Sequence, residues 1–123
     1  MRFAPIVAAA LLVAPVAAYA HPKLVSATPA PNAVSARTAQ LQLVFSERLV
    51  AQFSGADLVM TEMPGMKMNV PMKMPAKTTL GTDGKTLVVT LPKALSIGSY
   101  TLSYHVVSTD THRVEGSYSF KVK

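Results

Sequence analysis

The chain has 123 residues, half of them hydrophobic, with no cysteine, no tryptophan and a formal net charge of +6 at pH 7. The lack of cysteine excludes disulfides, thiolate metal sites and thiol catalysis. The basic residues are scattered rather than gathered in a run interleaved with aromatics, which argues against nucleic-acid binding and for a solvated basic surface.

The first twenty residues, MRFAPIVAAALLVAPVAAYA, read as a secretory signal. Arg2 supplies the positive start, Ile6 to Val16 form an apolar run broken only by Pro15, and Ala18-Tyr19-Ala20 is an A-x-A cleavage site. The run is too short to span a membrane, and no later segment is long and apolar enough to do so. Cleavage after Ala20 leaves one exported domain, His21 to Lys123, with eleven basic against six acidic residues. A domain of that size without disulfides depends on its core.

Short strands follow, separated by Pro, Gly, Asn and Asp turns. Lys23–Thr28 is the first, ended by the turn Pro29-Ala-Pro-Asn32. Ala39–Phe45 alternates, with Leu41, Leu43 and Phe45 on one face and Gln40 and Gln42 on the other. Ala56–Thr61 is a further strand. Lys77–Gly81 and Lys85–Leu91 flank Asp83-Gly84, a hairpin signal. Ser99–Val107 places Tyr100, Leu102, Tyr104 and Val106 on one face, and Glu115–Val122 turns Tyr118, Phe120 and Val122 inward. Helical periodicity is confined to single turns at Val34–Arg37 and Pro92–Leu95. About seven strands in a hundred residues predict an all-β Greek-key β-sandwich or small barrel.

Six of the seven methionines, Met60, Met63, Met66, Met68, Met72 and Met74, fall within fifteen residues. Their spacings of 3, 3, 2, 4 and 2 match neither a helix face nor a strand face. Pro64, Gly65, Pro71 and Pro75 interrupt the segment, so a loop or irregular strand carrying exposed thioethers is expected. Methionine often fills gaps in cores, and Met60, ending an apolar strand, fits that role in part. The others sit among Pro, Gly, Lys and Asn, a poor core composition. Thioether is a soft, uncharged ligand that selects Cu(I). It also remains usable in an oxidising compartment where free thiols would oxidise.

A second candidate site begins at the cleavage point. A free N-terminal His21 offers its α-amine and ring Nδ1 to one metal, and Pro22 has no N–H through which the metal could recruit the next amide. Asp110 and His112 are i and i+2; in extended backbone they project to the same side roughly 7 Å apart. His21, Asp110 and His112 together would give three nitrogens and one oxygen, a set suited to Cu(II). By itself the D-x-H pattern more often fixes a histidine tautomer in a loop. His105 has parity opposite to Tyr104 and Val106 and is expected at the surface or behind a site. Glu47 is either a solvated strand end or an acid near the N-terminal site.

On these residues the chain resembles the CopC family of periplasmic copper-binding proteins, including its methionine-rich PcoC type. The resemblance is carried by post-signal His21, Phe45-Ser46-Glu47, the M-x-x-M-P-G-M-x-M segment and HVVSTDTHRVEGSYSF from His105 to Phe120. It implies an immunoglobulin-like or cupredoxin-like sandwich in the periplasm. It also implies a Cu(II) site of His21, Asp110 and His112, a separate Cu(I) site in the methionine segment, and an inner-membrane partner of the CopD type. Glu47 matches an acidic position near the Cu(II) site of some members. Several two-site relatives carry a histidine where this chain has Met68, so the Cu(I) site here would be all thioether, with Met63, Met66, Met68 and Met72 as first choices.

A copper carrier or buffer, not an enzyme, is the expected function. The rival from another class is a copper-dependent oxidative enzyme built on the N-terminal histidine chelate. Asp110 would fill a position that oxygen chemistry needs open, and no tryptophan is present to stack on sugars. A sandwich used for adhesion or assembly, without metal, is the third reading.

Overall fold

The computed structural model describes residues 21–123; the expected leader lies outside the described residues. Among the described residues nine strands are formed: β1 (Leu24–Thr28), β2 (Val34–Ser35), β3 (Gln40–Phe45), β4 (Gly55–Met63), β5 (Met66–Met74), β6 (Lys77–Leu80), β7 (Thr86–Thr90), β8 (Gly98–Val107) and β9 (Arg113–Val122). They make two sheets, one in the order β1-β3-β7-β6 and the other β2-β9-β8-β4-β5. All pairings are antiparallel except the short one of β2 with β9.

The core is the space between the sheets. Leu41, Leu43 and Phe45 of β3 and Leu87 and Val89 of β7 meet Leu58 and Met60 of β4, Tyr100, Leu102 and Val106 of β8, and Phe120 and Val122 of β9. Each is a same-face set with the period of two that a pleated strand imposes. Burying each such side chain contributes about 1.5–3 kcal/mol. The rings of Tyr100 and Phe120 stack with centroids 5.6 Å apart, and Phe45 meets Tyr104 edge-on at 5.3 Å.

The expected all-β sandwich is therefore observed, as two open sheets rather than a barrel. Nine strands replace about seven. The methionine segment supplies one extra strand, and Val34–Ser35, expected as the start of a helical turn, supplies the other. Lys121 N and Lys123 N donate to the carbonyls of Ala33 and Ser35, so pairing with β9 overrides the local helical signal. Pro92–Leu95 forms no helical turn either. Leu95 is buried and its N–H bonds Thr38 O at 2.9 Å, which pulls the segment across the end of the sandwich.

The 81–86 turn is set by Asp83. Its carboxylate accepts the amides of Lys85 (2.9 Å) and Thr86 (3.0 Å) and the Thr86 hydroxyl (2.8 Å). Those bonds, the Lys85 amide first, hold its carboxyl below the usual range. Gly84 takes φ +72°, which a side chain would resist, and its carbonyl accepts Leu49 N–H at 2.8 Å. The turn thus fixes the segment after β3.

Candidate metal centre

After β8 the chain makes a tight turn rather than continuing extended. Ser108 N donates to His112 O at 2.9 Å and Thr111 N to Ser108 O at 2.8 Å. Thr111 holds φ +74°, a conformation a β-branched residue rarely takes. The turn, not the extended spacing expected from i and i+2, brings the pair together: Asp110 Oδ2 lies 3.0 Å from His112 Nδ1. Two donors held at a right angle by metal bonds of about 2.0–2.1 Å would sit about 2.9 Å apart. The observed separation is that of a hydrogen bond between the two side chains, and it is also one that two neighbouring ligands of a single ion could take.

Ser108, half of the turn's base, is buried and bonds its hydroxyl to Asp110 Oδ1. The Ser108 hydroxyl first, and His112 second, pull the Asp110 carboxyl down to about 2. The carboxylate is an anion at any pH at which the protein would meet metal.

His21 reaches this turn through a chain of backbone staples. Pro22 is buried, anchoring the residue before it. Lys23 N–H donates to Ser46 Oγ at 2.9 Å, and Ser46 N–H donates to Lys23 O at 2.9 Å. Two residues on, Thr109 N–H donates to Arg48 O at 2.9 Å, Leu49 bridges Ser108, and Val50 N–H donates to Val107 O. The 46–50 segment therefore ties both the start of β1 and the 108–112 turn to itself. As a result the rings of His21 and His112 meet edge-on, 4.8 Å between centroids. Glu47 sits half-buried between Ser46 and Arg48, the two residues that make those ties.

Among the described residues no three His, Asp or Glu side chains are gathered closely enough to hold a metal by themselves. The Asp110–His112 pair is set, and His21 stands beside it. In the uncut chain the His21 nitrogen is a peptide amide, so the chelate expected of it needs the preceding residues removed. His105 is elsewhere. It lies on the outer face of β8, opposite Glu115 and Gly55, and lines a shallow groove with Asp57 and Ser103.

The methionines lie at the other end. β4 and β5 form a hairpin whose turn is Pro64-Gly65, with Gly65 at φ +72°. Met63 stands directly opposite Met66, Met60 opposite Met72, and Leu58 opposite Met74. Between the pairs Met60–Met72 and Glu62–Lys67, Thr61 faces the four residues Met68 to Pro71, so β5 carries a wide bulge. That bulge and the edge position of β5 explain how Pro71 fits in a strand: no neighbouring chain needs its missing N–H. The bulge also scrambles the spacing of the methionines.

The hairpin divides them. Met60 belongs to the core, 4% exposed. Met68 and Met74 are partly buried against the core. Met63, Met66 and Met72 are exposed at 40%, 60% and 45%. By register, Phe120, Tyr100, Met60 and Met72 form one row across the inner face, a row that leaves the core at the exposed Met72 on the edge strand.

The chain is thus a two-sheet β-sandwich with a histidine–carboxylate turn at one end and an exposed methionine hairpin at the other. Residues 24–123 match the CopC domain family, and the chain belongs to it. It is 50% identical over 118 residues to copper resistance protein C of Xanthomonas campestris pv. juglandis, covering 96% of this chain and 92% of that one. It is 42% identical over 106 residues to copper resistance protein C of Escherichia coli, covering 86% and 84%. The crystal structure of PcoC, a methionine-rich copper resistance protein from Escherichia coli, superposes with a TM-score of 0.77 at 40% identity, covering 85% of this chain and 100% of that one. CopC from Methylosinus trichosporium OB3b superposes at 0.71 with 25% identity, covering 84% and 94%.

Proposed function

We propose that this is a periplasmic copper-binding protein, a carrier or buffer in copper resistance or homeostasis and not an enzyme. Cu(II) is held at the mature N-terminus by the α-amine and ring of His21, the Asp110 carboxylate and the His112 ring. Cu(I) is held in the methionine hairpin. The observation that carries the reading is the Asp110–His112 pair at 3.0 Å with the His21 ring alongside. Membership of the CopC family and relatives named for copper resistance support copper as the metal.

The two sites suit different oxidation states for different reasons. Nitrogen donors and one carboxylate favour Cu(II), and uncharged sulfur favours Cu(I). For the hairpin site, exposure favours Met63, Met66 and Met72, while Met68 and Met74 are half-buried against the core. Met60 is occupied by packing. The exposed hairpin is the end that would hand metal to a partner such as a CopD-type inner-membrane transporter. Cleavage after Ala20 is part of this reading, because it creates the amine.

The test is Cu(II) titration with electron paramagnetic resonance of two forms, one starting at His21 and one with a single extra residue before it. The expected result is a tight one-to-one, nitrogen-rich site in the first form only. Equal binding by both removes His21 as the anchor and leaves copper binding to rest on the hairpin.

A further inference from the structure

Ser108 is out of place by composition. Among the described residues it is the only charged or small polar side chain buried as deeply as the core, at 1% exposure. Burying a hydroxyl is costly unless it is hydrogen-bonded. Its single proton goes to Asp110 Oδ1, with His112 O farther off at 3.3 Å. The His112 amide also faces Asp110 Oδ1, at 3.4 Å. One carboxylate oxygen is thus engaged by two donors from the turn. The other, Oδ2, is left facing His112 Nδ1 at 3.0 Å.

We propose that Ser108 is a positioning residue that makes Asp110 a one-oxygen ligand. By occupying Oδ1 from the buried side, it aims Oδ2 at the position shared with the His112 ring. It also keeps the carboxylate from closing on a metal with both oxygens. A single carboxylate oxygen at one corner completes a tetragonal N,O set of the kind that suits Cu(II). Ions that prefer several oxygens accept carboxylates through one oxygen or through both. Ser108 holds its own place through backbone bonds: its amide donates to His112 O, its carbonyl accepts from Thr111, and it bridges Leu49. The hydroxyl is therefore anchored to the sandwich, while the turn that carries both ligands closes around it. This inference rests on the reading of His21, Asp110 and His112 as the Cu(II) site.

The experiment compares the mature protein with its Ser108→Ala and Ser108→Thr variants by Cu(II) competition titration and electron paramagnetic resonance. Thermal melting of the metal-free forms accompanies it. Removing a partner that orients a ligand typically weakens metal binding about 10–100-fold. Ser108→Ala should lose affinity in that range and show a changed or mixed copper spectrum. Ser108→Thr, which keeps the hydroxyl, should restore the parent spectrum. An alanine variant with parent affinity and spectrum overturns the proposal while leaving the copper site standing. A crystal structure of the copper-loaded parent is a second test that needs no variant: one Asp110 oxygen at bonding distance supports the proposal, and two overturn it. A parent protein that binds no Cu(II) at its N-terminus removes both the proposal and the site reading.

Discussion

Asp110 shows how one side chain answers to its neighbours. With a folded value of about 2, set first by the Ser108 hydroxyl and then by His112, it lies below the value of about 3.9 in an unfolded chain. A depressed carboxyl stabilises the fold fully above about pH 4, and that contribution is lost as the pH falls toward 2. In the metal-free protein, carbon NMR should find Asp110 titrating near pH 2, and Asp110→Asn should flatten the acid limb of a stability curve between about pH 4 and 2. Any Cu(II) release seen above pH 4 must then come from protons competing for the nitrogen donors, not for this carboxylate. Loss of Cu(I) over the same range would count against a thioether site, since sulfur has no competing proton there. The methionines make a second contrast of single residues. Met60 is core and Met66 is 60% exposed. Met60→Leu, a volume-conserving change, should cost less than about 1.5 kcal/mol and leave Cu(I) stoichiometry unchanged. Met66→Leu should leave the melting temperature unchanged and weaken Cu(I) binding. The reverse pattern in calorimetry and Cu(I) competition would place the site on the buried side of the hairpin.

At the scale of elements, the β4–β5 hairpin depends on a glycine in the neighbouring strand. A Cβ on Gly98 would run into the Glu62 carbonyl oxygen and come within 2.8 Å of the Met60 methyl. Glu62 is where the register resumes past the bulge. Gly98→Ala should therefore push the distal hairpin away from β8, costing about 1–3 kcal/mol and weakening Cu(I) binding through displaced Met63 and Met66. Thermal melting and Cu(I) competition on one preparation check both, and a parent-like melt sinks the argument. Most strands were legible in the sequence because their alternation is the direct imprint of a two-faced sheet: Leu41-Leu43-Phe45 and Tyr100-Leu102-Val106 admit no other packing. The sequence of β5 admits a loop or an irregular strand, because three extra residues at the bulge break the period and proline argues against pairing, and the irregular strand is what forms. Both objections vanish at a sheet edge, and edge position is a property of topology that the segment itself does not encode. β2 was missed because two residues carry no period at all. The ligands Asp110 and His112 were legible as a pair. Their 3.0 Å approach was not, because it comes from the 108–112 turn and the positive φ of Thr111.

For the whole molecule the governing fact is that one strand separates the candidate sites. β8 runs from Gly98, packed against the methionine hairpin, to Val107, which leads into the Ser108–His112 turn. Ten extended residues at about 3.3 Å each put the two ends about 30 Å apart. No ligand can be shared over that distance, and the strand between is locked by pairing along its length with both β4 and β9. Effects at sites so far apart, without shared partners, should add rather than couple. Asp110→Ala should abolish tight Cu(II) binding while changing Cu(I) affinity by less than about twofold, and Met66→Leu should leave the Cu(II) spectrum unaltered. The same distance dictates how metal would move when its oxidation state changes. Copper reduced at the histidine end has no internal path to the hairpin, so it must leave its site and be captured from outside. When Cu(II)-loaded protein is reduced in an equimolar mixture with affinity-tagged, metal-free protein, Cu(I) should be divided between the tagged and untagged molecules once the two are separated. Retention of all the copper by the molecules that first carried Cu(II) would mean transfer inside one molecule, which a rigid sandwich with its sites at opposite ends does not permit.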